Sequence, residues 1–354
     1  TAPSAPQGLA GQTWLVTGAA GFIGSHVSRA LLAQGVRVVG LDNFDPYYDK
    51  AVKRRNLAPL LQDPGFHFLE LDMTSREGLH EGLQPYRHQL PHGGVVHLAA
   101  RAGVRPSLSQ PHAYMRTNLD GTLNLLEFGR EHGVRAWVFA SSSSVYGERG
   151  QPHPFREEEA VGRPVSPYAA TKAMAEQLLY SYHHLHGMAV LPLRLFTVYG
   201  PAQRPDLAIH KFTRLMADGQ PLPIYGDGSS LRDYTYIDDI ARGILAACAY
   251  ARRSLGAGAP CYEIMNLGGG QPIGLNDLVA LLEREMGVRA QRQYLPPQAG
   301  DVPLTFADIS KARRLLGFDP ATGIERGVAT FVRWFNETRE AEPLLDPADL
   351  LLTS

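Results

Sequence analysis

Tyr168 and Lys172 stand four residues apart in the segment Ser166-Pro167-Tyr168-Ala169-Ala170-Thr171-Lys172. On a helix, positions four apart share a face. A free phenol has a pKa of about 10. A neighbouring ammonium and a cationic ring favour its phenolate. Tyr168 is then a candidate general base near neutral pH. Tyr-x-x-x-Lys also occurs on ordinary amphipathic helices, so the pair needs a partner motif. Upstream lies Ser141-Ser142-Ser143-Ser144-Val145-Tyr146-Gly147. A hydroxyl at the end of a strand can hydrogen-bond a reacting oxygen and relay its proton to Tyr168. The bland alternative is a serine-rich loop.

A second constellation sits near the start. Thr17-Gly18-Ala19-Ala20-Gly21-Phe22-Ile23-Gly24 carries glycines in a GxxGxxG spacing. Such a turn, between a strand and a helix, brings backbone N–H groups and the positive helix end to a pyrophosphate. Asp42 follows Gly24 at the end of the second expected strand, in position to accept both adenosine ribose hydroxyls. Its charge opposes a 2′-phosphate, and Asn43 and Phe44 follow it rather than Arg. The cofactor expected is therefore NAD rather than NADP. Asp72, at the end of the third strand, is placed to reach the adenine or simply to close a strand-end turn.

Elements with alternating character position these groups. Expected strands are Trp14–Thr17, Val36–Asp42, Phe66–Asp72, Val95–Ala100, Ala136–Ser141 and Val190–Phe196. Amphipathic stretches Phe22–Gln34, His112–His132 and Pro167–His186 separate them. Pro167 suits a first helical turn. Strand–helix alternation implies an α/β fold, a Rossmann-type doubly wound parallel sheet, with the ligand where strand order reverses. After Leu195 the rhythm changes. Pro201–Tyr225 is rich in Pro and Gly, Tyr236–Tyr250 looks helical, Tyr262–Asn266 looks like a strand, and Leu275–Met286 and Gly323–Glu337 look helical. The expected division is a flexible leader over 1–12 and a cofactor domain over 13–195, with 236–262 packing onto it. A smaller, interleaved substrate domain covers 196–235 and 263–340, and a tail covers 341–354.

Composition narrows the function classes. The chain has 354 residues, 34 Lys and Arg against 35 Asp and Glu, and a net charge of −1. That balance supplies no basic field for a nucleic-acid backbone. Hydrophobic residues at 44% suit a globular chain long enough for two domains. Only Cys248 and Cys261 occur, which allows one disulfide but not a framework, and they read as reduced thiols. No apolar run approaches the roughly 20 residues of a membrane span, and the first residues lack the pattern of a signal peptide. A cytoplasmic setting without metal is expected.

With the glycine turn, the serines and the Tyr/Lys pair together, the chain resembles the extended short-chain dehydrogenase/reductases of the nucleotide-sugar epimerase group, from about Thr13 to about Phe335. The resemblance implies Ser142, Tyr168 and Lys172 as catalytic residues. It implies NAD contacts at Gly18, Gly21, Phe22, Ile23, Gly24, Asp42, Asn43, Asp72, Met73, Ala99, Ala100 and Asn118, besides Tyr168 and Lys172. Tyr168 then takes the C4 hydroxyl proton while the C4 hydride passes to NAD. The 4-keto sugar turns about its phosphate link and is reduced on its other face. The resemblance also implies a homodimer built on His112–His132 and Pro167–His186.

Leu193-Arg194-Leu195-Phe196-Thr197-Val198-Tyr199-Gly200-Pro201-Ala202-Gln203-Arg204-Pro205-Asp206 resembles the UDP-glucuronate 4-epimerases. So do Ala102-Gly103-Val104-Arg105-Pro106-Ser107 and Gln298-Ala299-Gly300-Asp301-Val302. Galactose epimerases usually carry Asn at Thr197 and Arg at Gln298. A hexuronate carboxylate needs charge-assisted donors. The resemblance assigns it to Thr197 and Arg204, with Ser143 and Ser144 adding hydroxyls. It also implies that Arg105 contacts the substrate, that Arg232 holds the diphosphate, that Tyr225 lies beside the uracil and that Asp301 meets the ribose. The leading expectation is interconversion of UDP-glucuronate and UDP-galacturonate. The runner-up is a UDP-glucose/UDP-galactose or N-acetylhexosamine 4-epimerase. A 4,6-dehydratase needs acids where Ser143 and Ser144 stand, and a UDP-glucuronate decarboxylase typically has Glu at Ser144. A non-catalytic NAD-binding protein would have no need of Ser142, Tyr168 and Lys172.

Overall fold

A computed structural model describes residues 8–148, 153–159, 161, 163–297 and 303–339. Its strands, in chain order, are β1 Thr13–Thr17, β2 Arg37–Asp42, β3 Phe66–Glu70, β4 Gly94–His97, β5 Ala136–Ser142, β6 Ala189–Leu195, β7 Thr197–Tyr199, β8 Leu222–Tyr225, β9 Leu231–Tyr236, β10 Met265–Leu267, β11 Pro272–Gly274 and β12 Arg292–Leu295. Seven form one sheet in the order β3-β2-β1-β4-β5-β6-β10, and every pairing is parallel. The order reverses between β1 and β4, which opens a crevice beyond their carboxyl ends. Both faces are covered, so the central strands read as near-continuous apolar runs. Leu15, Val16, Val96, Val138 and Leu191 are buried.

Local sequence explains the helices that matter. The helix Phe22–Leu32 begins at Gly21 with no side-chain cap, so its first N–H groups stay open toward the crevice. The helix Pro167–His186 begins where the Ser166 hydroxyl accepts from the Ala169 N–H, and it ends at the left-handed Gly187. The stretch expected as one helix over His112–His132 is Pro111–Met115, a π-helical turn Arg116–Asp120 and Gly121–His132. Within the Pro- and Gly-rich stretch 201–225 lies an unanticipated helix, Ala208–Ala217.

β7, β9 and β11 form a small sheet, and β8 pairs with β12. The helix Ile237–Gly256 packs on Phe22–Leu32 and on β5 and β6. One boundary needs correcting. Met265–Leu267, expected in the smaller domain, pairs with β6 as the seventh strand of the large sheet. The leader to residue 7 and the tail from 340 lie outside the described residues. No helix among the described residues is long and apolar enough to cross a membrane.

Candidate active site

One cavity of about 500 Å³ runs along the carboxyl ends of the large sheet and under β7. Gly18, Gly21, Phe22, Ile23, Gly24, Asp42, Asn43, Asp72, Met73, Ala99 and Ala100 line one part. Ser142, Ser143, Ser144, Tyr168, Lys172, Thr197, Arg204 and Arg232 line the rest. Three expected residues stand apart from this lining. Arg105 stacks over the Tyr225 ring at 5.0 Å, so those two meet each other. Asn118 uses its amide on the Arg101 backbone and the Thr171 hydroxyl, at 2.8 to 3.0 Å. Asp301 and the Gln298–Val302 motif lie outside the described residues.

The glycine turn fits a dinucleotide. Gly18 has φ +73°, and a Cβ there would come within 3.0 Å of the Ala99 nitrogen. A Cβ at Gly24 would run into the Gly18 carbonyl. The turn is therefore closed to side chains and open to a phosphate. Asp42 is buried, and its Oδ1 accepts from the Phe44 N–H at 2.8 Å and from Lys53 Nζ at 3.1 Å. Neither of these contacts uses its Oδ2. Lys53 was not anticipated, because a lysine 11 residues downstream carries no local sign of turning inward. Asp72 closes its own turn. Burial would raise its carboxyl, but hydrogen bonds from Thr74 and Asn43 hold it below the usual range.

Below the crevice runs a buried relay. Thr17 Oγ1 meets His97 Nδ1 at 2.7 Å, and His97 Nε2 meets Thr122 Oγ1 at 2.9 Å. Burial and the Lys172 charge push His97 down to about 3, so it is neutral. Thr17 also accepts from the Leu98 and Ala99 N–H groups, which fixes the floor of the crevice.

At the reacting end, Ser144 Oγ donates to Ser142 Oγ at 2.9 Å, and Ser142 stands close enough to the Tyr168 phenol to act on it. Burial raises Tyr168 above the ordinary phenol value, while the Ser142 contact and the Arg204 charge pull it back. Lys172 donates to the Ala140 carbonyl at 2.7 Å. Burial lowers its ammonium to about 7, against an upward pull from Glu176. The Arg204 guanidinium thus adds a further positive charge that favours the Tyr168 phenolate. Sequence reasoning gives that role to Lys172 and the cationic ring of the cofactor, and does not foresee Arg204.

Arg204 is gripped from below. Its Nε and Nη2 donate to Asp206 Oδ1 and Oδ2 at 2.9 and 2.6 Å, and it lies 5.2 Å over the Tyr47 ring. Asp45 carries the same loop to Arg101, at 2.9 Å. Tyr47, Tyr48, Arg101, Lys53 and Thr305 line the cavity without having been anticipated. The one available signal was the density of polar and aromatic residues just after β2, in Asn43-Phe44-Asp45-Pro46-Tyr47-Tyr48.

Comparison with known proteins agrees with this geometry. A chain from Thermodesulfobacterium geofontis described as UDP-glucuronate 4-epimerase is 46% identical over 328 residues, covering 92% of this chain and 97% of that one. A solved Bacillus cereus UDP-glucuronic acid 4-epimerase, in complex with UDP-glucuronic acid and NAD, is 36% identical with a TM-score of 0.83, covering 92% of this chain and 99% of that one. A Thermotoga maritima UDP-glucose 4-epimerase with UDP-glucose is 32% identical with a TM-score of 0.81, covering 93% of this chain and all of that one. Residues 14–268 match the model of one family, and with the glycine turn, Asp42 and the Ser142–Tyr168 contact in place, the chain belongs to the NAD dependent epimerase/dehydratase family.

Proposed function

We propose that this chain is an NAD-dependent nucleotide-sugar 4-epimerase that interconverts UDP-glucuronate and UDP-galacturonate. One observation carries the substrate choice. Arg204 and Thr197 line the same cavity as Ser142 and Tyr168. A carboxylate on a sugar beside the Tyr168 base therefore finds a guanidinium in the same cavity. NAD, held by the glycine turn and Asp42, supplies the reversible oxidant at C4.

Tyr168 takes the proton from the C4 hydroxyl and later returns it. Ser142, supported by Ser144, holds the C4 oxygen and the phenol in line. Arg204 favours the phenolate, and Lys172 completes the cationic surroundings. Arg232 receives the diphosphate, and Arg105 with Tyr225 forms a surface for the uracil end. Thr197 and Arg204 hold the carboxylate out of the orientation in which a β-keto acid loses carbon dioxide. Residues 13–195 with 236–262 and β10 serve the cofactor. β7, β8, β9, β11 and β12 serve the sugar nucleotide.

We also propose a homodimer. Helices 104–109, 111–115, 121–132 and 167–186 lie side by side and expose Leu108, Met115, Leu123, Met174 and Leu185. Such a stripe is characteristic of a face covered by a second copy. Two free thiols are consistent with a reducing, cytoplasmic setting.

Incubation with UDP-glucuronate, UDP-glucose and UDP-N-acetylglucosamine in turn, followed by proton NMR, tests the reaction. Inversion of UDP-glucuronate is expected, and Tyr168→Phe abolishes most of it while NAD stays bound. Turnover of UDP-glucose with none of UDP-glucuronate would establish the runner-up. Arg204→Ala is expected to release carbon dioxide and a pentose product. A variant that binds weakly but never leaks removes the restraining role.

A further inference from the structure

We propose that Asp206 is a positioning residue that clamps Arg204 and leaves its Nη1 edge to face the substrate carboxylate. This rests on the reading of Arg204 as the carboxylate contact. A guanidinium carries its N–H donors in a planar fork. Asp206 takes Nε and Nη2 in a two-pronged contact at 2.9 and 2.6 Å. Nη1 is the nitrogen that Asp206 does not engage. The Tyr47 ring lies 5.2 Å from Cζ, with the Asp206 carboxylate close enough to act on its phenol. Rotation of the guanidinium would break the two-pronged contact with Asp206 and lift it from the Tyr47 ring.

The backbone is held as firmly. Ala202 sits at φ +64°, a conformation that non-glycine residues adopt only when their surroundings impose it. Gln203 N donates to Gly200 O at 3.1 Å, Gln203 Nε2 donates to Val198 O at 3.2 Å, and His210 Nδ1 meets Gln203 O at 2.6 Å. Leu207 N closes the turn on Arg204 O at 3.2 Å. Side chain and main chain of Arg204 are therefore both fixed before substrate arrives.

Charge explains why a clamp is needed. Arg204 and Asp206 form a pair that is neutral overall and only slightly exposed. Asp206 offsets much of the attraction that Arg204 exerts on a carboxylate, so its presence serves direction rather than strength. Direction matters once C4 is a ketone. In the leak, the C5–C6 bond breaks and its electron pair enters C4–C5, with charge passing to the C4 oxygen. Carbon dioxide departs, and C5 then takes a proton. The step is fast only when C5–C6 stands perpendicular to the ketone plane. A free guanidinium would follow the carboxylate into that geometry, whereas a clamped one resists it.

The test uses the NAD-loaded full chain and UDP-glucuronate, with epimer and pentose products counted by NMR. Asp206→Asn is expected to raise the decarboxylated fraction about ten-fold, with KM at or below the wild-type value, since a repelling charge is gone. Asp206→Glu restores most of the product ratio. On an Arg204→Ala background the Asp206 substitution adds nothing, because the two act as a unit. A wild-type product ratio in Asp206→Asn overturns the proposal, as does an equal effect on both backgrounds. A rise in KM with a fall in kcat and no leak marks a merely structural role and also overturns it. If Asp206→Asn loses NAD, Tyr47→Phe takes its place, and an unchanged ratio there is the refutation. Failure of the wild-type chain to make UDP-galacturonate refutes the substrate reading instead, so the two failures are distinct.

Discussion

Glu176→Gln removes the charge from the most deeply buried ion pair near the reacting end. Glu176 and Arg194 are 0% and 1% exposed. Arg194 Nε and Nη2 donate to the two Glu176 oxygens at 3.0 and 2.8 Å, and Ser141 Oγ donates to Oε1 at 2.5 Å. With the carboxylate gone, the guanidinium stays desolvated above the Tyr146 ring. Removing one partner of such a pair costs about 3–5 kcal/mol. At roughly 2 °C per kcal/mol for a chain of this size, the melting temperature falls by about 6–10 °C. Replacing both, as Glu176→Leu with Arg194→Met, leaves no stranded charge and recovers most of the loss. Circular dichroism melts of the wild type and the two variants give the comparison. Glu176 also lies one helical turn beyond Lys172 and pulls its ammonium upward against burial. Without it Lys172 loses its proton at lower pH, so the alkaline limb of kcat/KM moves toward acid. A single variant that melts within about 1 °C of wild type would refute the reasoning, as would a double variant no more stable than the single.

Other outcomes can be measured. Asp42→Ala leaves Lys53 without its 3.1 Å partner, so stripped protein titrated with both cofactors should lose NAD affinity and gain at least about ten-fold in NADP preference. An unchanged ratio would show that Asp42 does not read the ribose. His97 has a folded pKa near 3 against 6.5 unfolded. The unfolded chain therefore binds the extra proton, and stability falls as pH drops from 6.5 toward 3, by up to about 1.4 kcal/mol per unit. Denaturant titrations of His97→Gln should show a shallower slope across that window. Leu185, 69% exposed, together with Met174, should yield a single-chain mass by light scattering when both become Glu; an unaltered dimer would move the interface elsewhere.

The first six strands and the glycine turn were legible because short apolar runs and positional glycines are local signals. What was hidden depended on distance along the chain. The helix Ala208–Ala217 sits between Pro205 and Gly219, so its flanks read as loop. β10 has three residues, and its place beside β6 is a pairing no periodicity can announce. Asn118 sits on a π-helical turn, and its amide is spent on the backbone of Arg101. Lys53 becomes a site residue when the helix after β2 turns back onto Asp42, and Tyr47 and Asp206 do so only when the loop after β2 meets the loop after β7. The same holds for Arg204. Its type was legible, but its fixed pose and its pull on Tyr168 were not.

The path of the chain from the large sheet into the β7-β9-β11 sheet bears on how relatives could diverge. β6 ends at Leu195 and β7 starts at Thr197, and the Phe196 N–H between them donates to Leu267 O of β10 at 3.0 Å. A graft made at this junction would import a foreign seventh strand along with any new sugar pocket, and the recipient sheet would have to accept it. Exchange of whole modules is thereby penalised. New substrate preferences in such a scaffold must arise by piecemeal replacement of side chains around a shared seam.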